Sequence, residues 1–430
     1  MNSFVLKNAQ LSDGQIADIK ISSGVIAEIG SNLSAETQID CAGLIALPGF
    51  VDLHTHLREP GYEASETVLT GTQSAALGGF TAVHAMANTD PVADTAGVVE
   101  QIRSLGIEAG YVDVFPIGAV TVGLEGKQLA ELGAMANSRA AVKVFSDDGK
   151  CVSDPLLMRR ALEYVKAFGG VIAQHAQEPR LTEGAQMNAG VVSSELGLAG
   201  WPAVAEESII ARDVLLAEHV GSRIHICHLS TKGSVEIVRW AKSRGINVTA
   251  EVTPHHLLLT DELARTYDPI YKVNPPLRTE QDVLALREAL VDGTIDIIAT
   301  DHAPHPIEAK DCEWNAAAFG MVGLETAASV AQLVLIESGK SDWARLASVL
   351  SSKPAQMAND SDHGEIAVGR KANIAIIDPK VHRKIARATA SKSLNNPYVD
   401  RELPGAVVHT IYNGRFTVKN GALQNKEEIA

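Results

Sequence analysis

The amino-acid sequence predicts an α/β protein, a (β/α)8 barrel of the TIM type carrying a small β-sandwich domain formed from both termini. Three observations point there. Eight short aliphatic runs alternate with helical stretches through the middle of the chain, β-rich segments punctuated by turns occupy both ends, and metal-competent side chains stand where several of the runs stop. A doubly wound sheet is the competing arrangement for the same alternation.

The eight runs are residues 47–53, 81–87, 112–117, 141–145, 171–173, 223–227, 246–252 and 295–299. Between them Leu157, Ala161, Tyr164 and Phe168 recur at i, i+4, i+7 and i+11, and Val283, Leu286 and Leu290 at i, i+3 and i+7, the spacing of one apolar helix face. At the N-terminal end, Asp13-Gly14, Ser23-Gly24 and Ala42-Gly43 interrupt strand-like stretches at 16–21 and 25–29. The same texture returns at 365–368, 372–377 and 406–412, and Asn413-Gly414 is a two-residue hairpin signal before 415–418. Residues 1–45 and 365–430 are therefore expected to pair into one composite β domain around a barrel of residues 46–364.

The chain has 430 residues, enough for two or three domains or for one large barrel with additions. Hydrophobic residues at 46% and charged residues at 21% are those of a folded globular protein, and aromatics at 4% imply an aliphatic core. A net charge of −15 argues against nucleic acid or an anionic membrane as the main partner. An anionic metabolite would need a locally positive site. Cys41, Cys151, Cys227 and Cys312 are too dispersed for a disulfide framework or a thiolate zinc site. The N-terminal residues lack a basic region leading into a long apolar one, and no uncharged run could span a bilayer. A cytoplasmic location is expected.

The chemistry gathers where the runs end. His54 and His56 close the first, His175 follows the fifth, His228 the sixth and Asp301 the eighth. In a barrel these C-terminal ends open on one face, where active sites form. Residues i and i+2 of a strand share a side, so His54 and His56 can grip one ion, whereas His225 and His228 cannot both face inward from a regular strand. His228 is taken as the ligand and His225 as structural; His84 reads as core and His255-His256 as a turn with a hydrogen-bonding role. Four imidazoles and a carboxylate exceed the needs of one four-coordinate zinc, which implies two metals. Asp147 and Asp148, after the fourth run, offer a bridging carboxylate. Nitrogen-plus-carboxylate ligation favours zinc, with cobalt or manganese as alternatives. Arg58, two residues after His56, can present its planar fork to a substrate carboxylate.

Asp52-Leu53-His54-Thr55-His56-Leu57-Arg58-Glu59-Pro60-Gly61 resembles the DxHxHxRxPG signature of dihydroorotases in the amidohydrolase superfamily. Met86-Ala87-Asn88-Thr89, Phe145-Ser146-Asp147-Asp148-Gly149, Asn274-Pro275-Pro276-Leu277-Arg278, Asp301-His302-Ala303-Pro304-His305 and Phe319-Gly320-Met321-Val322-Gly323-Leu324-Glu325-Thr326 are similar to segments of the bacterial type I branch. The resemblance implies two Zn2+ per chain, one held by His54, His56 and Asp301 and the other by His175 and His228, with Asp148 as the bridge. It leaves Lys143, on the fourth strand, as an alternative bridge if carbamylated. It assigns substrate contacts to His56, Arg58, Asn88 and His305 and, for the pyrimidine ring, to Asn274, Phe319 and Gly320.

The activity implied is reversible cyclisation of N-carbamoyl-L-aspartate to L-dihydroorotate in pyrimidine biosynthesis. Two metals at about 3.5–4 Å would share a hydroxide of lowered pKa, and Asp301 would act as general acid and base. A homodimer and an association with aspartate transcarbamoylase are the candidate assemblies. The rival enzyme readings are a hydantoinase or an allantoinase, whose rings lack the carboxylate that Arg58 would bind; a non-catalytic scaffold would be expected to have lost metal ligands. The segment 306–318, with Lys310, Cys312 and Trp314, reads either as a lid or as an ordered rim loop.

Overall fold

The structure, a computed structural model, describes residues 3–387 and 389–426; residues 1–2, 388 and 427–430 of the expected terminal domain lie outside the described part. Each predicted run carries one barrel strand. They are Phe50–Thr55, Phe80–Ala85, Asp113–Pro116, Val144–Phe145, Val171–Gln174, Ile224–Ile226, Val248–Val252 and Ile297–Ile298. The first three form one parallel sheet and the last five another. Parallel bridges from Gly118 to Phe145 and from Thr55 to His302 join the two into a closed barrel. The closure has a polar rivet: the buried Asp52 carboxylate accepts hydrogen bonds from Thr300 N at 2.9 Å, Thr300 Oγ1 at 2.5 Å and Thr55 Oγ1 at 2.6 Å, tying the first strand to the end of the eighth.

Met86, Ile117, Val144, Val171, Ala173 and Cys227 form one apolar cluster from the second to the sixth strand. Helices including Val68–Leu77, Ala96–Ala109, Pro155–Lys166, Val204–Val220, Lys232–Ser243 and Glu280–Asp292 accompany the strands. Their starts are capped in the sequence: Asp154 accepts from Leu157 N with Pro155 in the first turn, and Thr279 accepts from Asp282 N in a capping box. Val283, Leu286 and Leu290 are buried as predicted. On Pro155–Lys166 the buried stripe is Met158, Ala161, Leu162 and Val165, and Tyr164 is exposed, so the predicted face is rotated by about one position.

The two termini make one continuous nine-stranded sheet whose apolar face gathers Phe4, Leu6, Ile19, Ile21, Ile26, Ala372, Ile374, Ile376 and Ile411 into its own core. Ile45–Pro48 is the seam. It pairs in parallel with Phe4–Leu11 and antiparallel with Ile374–Lys384. The run at 47–53 is therefore divided: its start belongs to the terminal sheet and its remainder to the barrel, with Gly49 between them. No room exists for a side chain there, since a Cβ on Gly49 would lie 2.4 Å from Thr81. The strand expected at 365–368 is instead irregular chain and turn leading into Ile374–Lys384. Among the described residues no helix is long and apolar enough to cross a membrane.

Three buried histidines that are not among the predicted ligands give the fold a pH limit. His84, His255 and His409 are at most 4% exposed, and burial pushes each imidazole down to about 4. Unfolded histidine titrates near 6.5, so between about 6.5 and 4 the unfolded chain binds protons that the folded chain refuses. Their contribution is intact above that window and lost as the pH falls through it, at up to about 1.4 kcal/mol per pH unit for each histidine. Denaturant unfolding at a series of pH values is predicted to show a steep loss of stability from pH 6.5 to 4; a flat profile would contradict it.

Candidate active site

The predicted ligands meet at the C-terminal mouth of the barrel. His54 is on the first strand and His56 just past it; His175, His228 and Asp301 follow the fifth, sixth and eighth strands, and Asp148 the fourth. Several of these positions leave the strand path abruptly. Arg58, His228 and Asp301 have φ of 63°, 30° and 46°, a left-handed region that costs a non-glycine residue free energy and is held by the surrounding contacts. For His228 this break explains how it turns inward three residues after His225.

Asp148 lies at the centre. Its Oδ1 is 3.3 Å from His54 Nε2, 3.1 Å from His175 Nδ1 and 3.3 Å from His228 Nε2, and its Oδ2 is 3.3 Å from His56 Nε2. Asp301 Oδ1 is 3.1 Å from His56 Nε2 and 3.5 Å from His54 Nε2. His175 Nδ1 and His228 Nε2 are 2.9 Å apart. Asp148 thus belongs to two groupings, one with His54 and His56, the other with His175 and His228. Ligands about 2.0–2.1 Å from a tetrahedral ion stand about 3.3–3.4 Å from one another, so these separations suit metal coordination.

The outward nitrogens decide which way the lone pairs point. His54 Nδ1 donates to Glu251 Oε1 at 2.6 Å, His56 Nδ1 to Asn88 Oδ1 at 2.9 Å and His175 Nε2 to Gln177 Oε1 at 2.8 Å. With those protons committed outward, a neutral imidazole turns a bare nitrogen toward the carboxylates, and His54 Nε2 has no hydrogen-bond partner. Acceptors facing acceptors repel unless a cation lies between them, and an outward donor bond of this kind is the usual support of a metal-bound imidazole. The residues fit a pair of metal ions.

Burial pushes the Asp148 carboxyl up, but His54, His175 and His228 outweigh it and hold the group well below the usual carboxylate range. Burial disfavours charge on His54, yet Asp148 and Glu251 raise its pKa well above the ordinary histidine value. Asp301 is likewise raised by burial and lowered by His56 and His54, to about 2. Buried carboxylates held ionised in this way require positive charge at the centre.

The two acidic candidates after the fourth strand separate by geometry. Asp147 accepts from Val120 N at 2.8 Å, Thr121 N at 2.9 Å and Thr121 Oγ1, so it caps a neighbouring loop. Lys143 occupies the pleat position next to Val144, is half-buried, and makes no hydrogen bond or ion pair with the cluster.

Of the predicted substrate residues, Arg58 comes to the mouth, its Nε donating to Pro304 O at 3.2 Å and its Nη2 lying 3.5 Å from His305 Nε2. Asn274 has its Oδ1 buried and unpartnered. Asn88 spends its carbonyl on His56. The remaining three are committed within the protein. His305 Nε2 donates to Phe319 O at 2.7 Å, Gly320 N donates to Lys272 O at 3.0 Å, and Gly320 O accepts from Asn395 at 3.1 Å. Segment 306–318 is pinned at the rim. Lys310 Nζ donates to the carbonyls of Pro269, Lys272 and Ala318, and Lys272 Nζ to that of Trp314.

Two supporting residues escaped the sequence reading. Glu251 accepts from His54, from His225 Nε2 at 2.9 Å and from His228 N at 3.2 Å; its signal was a lone acid inside the aliphatic seventh run, which must find partners if buried. Glu251 also groups with His54 and Cys227, but its oxygens are already spent on those three N–H groups. Gln177, two residues past His175, gave no signal of its own. His225, as expected, is structural, bonded to Thr249 and Glu251.

Comparison with known proteins decides the family. A family described as dihydro-orotase-like matches residues 43–234. The chain is 66% identical over 427 residues to a dihydroorotase of Streptomyces coelicolor, covering 98% of this chain and 100% of that protein. The chain belongs to the dihydroorotase family. A dihydroorotase of Mycobacterium tuberculosis is 51% identical over 417 residues, covering 96% and 97%. Among solved structures, an L-hydantoinase (dihydropyrimidinase) from Arthrobacter aurescens has a TM-score of 0.88 at 26% identity, covering 99% of this chain and 98% of that one. A dihydropyrimidinase from Brevibacillus agri, TM-score 0.83 at 23% identity over 98% and 96%, shares the barrel fold. Dihydroorotase-family membership makes the chain a cyclic amidohydrolase, and its histidine and aspartate cluster is the place for the family's metal.

A metal ion held by this cluster binds the folded chain and not the unfolded one, so metal is predicted to stabilise the fold. A metal at 1,000 times its dissociation constant adds about 4 kcal/mol by mass action. Thermal unfolding of chelator-treated protein should therefore rise by several degrees on adding divalent metal, and an unchanged midpoint would contradict the donor-set reading.

Proposed function

We propose that this chain is a type I bacterial dihydroorotase that interconverts N-carbamoyl-L-aspartate and L-dihydroorotate with two zinc ions. The observation that carries the reading is the Arg58 guanidinium at the mouth of the buried histidine and aspartate cluster. Its terminal nitrogens suit a bidentate carboxylate, a group that dihydroorotate has and a bare hydantoin or dihydrouracil ring lacks.

His54, His56 and Asp301 would hold one ion, His175 and His228 the other, and Asp148 both. When bound, the ions would supply Lewis acidity toward the scissile carbonyl and lower the pKa of the attacking water. Asp301 is the proton carrier. In hydrolysis, water adds to the ring amide carbonyl and gives a proton to Asp301; the C–N bond breaks, and Asp301 hands the proton to the departing nitrogen. In ring closure the ureido nitrogen adds to the side-chain carboxyl, Asp301 takes the nitrogen's proton and passes it to the departing oxygen, and one proton from solvent completes the water. His56 and His54 hold the Asp301 carboxyl ionised, the state that can receive the first proton. Arg58 orients the substrate through its carboxylate, and the bare Oδ1 of Asn274 accepts from a ring N–H.

Assays of ring closure beside hydantoin and dihydrouracil hydrolysis test the assignment. Wild-type protein is expected to act on carbamoyl aspartate and dihydroorotate. Asp301→Asn should lower kcat by about 10²–10⁴-fold, and Arg58→Met should mainly raise KM. Activity confined to hydantoin or dihydrouracil would overturn the substrate assignment.

A further inference from the structure

The site leaves one question of polarity: why His175 turns Nδ1 toward Asp148 and His228 and Asn274 leaves its Oδ1 without a partner, when an imidazole and an amide can each be turned the other way. The answer begins outside the cluster, at Thr182. Its hydroxyl, in a residue 6% exposed, lies 3.1 Å from Glu178 O and 3.3 Å from Pro179 O. Both are acceptors, so the single hydroxyl proton goes to one of them and the oxygen is left to accept. Gln177 Nε2 donates to it at 2.8 Å.

That bond fixes the Gln177 amide with its carbonyl on the opposite side. Oε1 then faces two donors at once, His175 Nε2 at 2.8 Å and Asn274 Nδ2 at 3.2 Å. His175 must carry its proton on Nε2, which bares Nδ1 toward Asp148 and His228. Asn274 must turn its NH2 toward Gln177, because the reverse orientation would set carbonyl against carbonyl. Its Oδ1 is left buried without a partner.

We propose that Gln177, aligned by Thr182, is a positioning residue that sets two acceptors together, the His175 nitrogen for the second metal and the Asn274 carbonyl for an N–H edge of the substrate ring. The substrate half rests on the function proposed above; the metal half does not. An acceptor oxygen at position 177 is the essential feature. Its donor end matters only for holding that oxygen in place.

The test compares full-length wild type, Gln177→Leu, Gln177→Glu and Thr182→Val by competition of a chromogenic chelator for bound Zn2+ and by steady-state kinetics on dihydroorotate. Gln177→Leu is expected to bind its weaker Zn2+ equivalent about 10- to 100-fold less tightly than wild type, with KM raised as well as kcat lowered. Gln177→Glu retains the acceptor and should restore most of the zinc affinity. Thr182→Val removes only a hydroxyl and should move both readouts in the same direction as Gln177→Leu by a smaller amount, which keeps the test valid if the leucine variant folds poorly. Wild-type zinc affinity in Gln177→Leu, or a glutamate variant no better than the leucine one, would overturn the proposal. If wild type does not turn over dihydroorotate, the proposed function fails, while the zinc competition still decides the role of Gln177.

Discussion

Everything at the mouth of this barrel depends on one buried carboxylate shared among four imidazoles. Asp148 has each of His54, His56, His175 and His228 within 3.3 Å, and all five residues are buried. Such a group is costly to bury and costly to crowd with lone pairs. It becomes favourable only when its surroundings are fixed: the neighbouring Asp147 anchors the loop to Val120 and Thr121, and Glu251, Asn88 and Gln177 take the outward protons of three histidines. The supporting residues are therefore as much a part of the site as the ligands they hold.

The fold serves that constraint through closure. His54 and His56 come from one end of the strand series and Asp301 from the other, so their separation is set by how tightly the first and eighth strands join. Asp52 makes that join with two hydrogen bonds from Thr300, and the backbone bond from His56 N to His302 O at 2.9 Å continues it into the site. The terminal sheet acts at a greater distance. Ile45–Pro48 holds the entrance of the first strand, and Asn395, in the chain between the last long strands, bonds Ala303 O, Gly320 O and His305 N, so that a terminal segment secures the loops beside Arg58.

Much of this was legible in the sequence, for physical reasons that also mark where legibility stopped. Buried parallel strands are continuous aliphatic runs, and all eight appeared as such. A run has no internal punctuation when one strand hands directly to another, which is why 47–53 read as one element although Gly49 divides it. The helix at Pro155–Lys166 carries apolar residues on more than one face, and periodicity alone could not choose Met158 over Leu157. Residues 365–368 have strand composition but no partner edge. In the site, the ligands were visible because histidine and aspartate at strand ends are unusual. Gln177 was not, because a neutral amide two residues past a histidine has no distinctive chemistry until its neighbours are known. At Phe319 and Gly320, where only the resemblance implies ring contacts, the Phe319 carbonyl and both polar backbone groups of Gly320 bond within the protein.

The central claim is that Asp148, and not a modified Lys143, organises two metal ions. Diffraction at the zinc absorption edge from crystals of the metal-loaded protein tests it most directly. The account predicts two anomalous peaks flanking the Asp148 side chain, with Lys143 unmodified and outside the cluster. A single peak, or a carbamate on Lys143 lying between two peaks with Asp148 turned away, would contradict it.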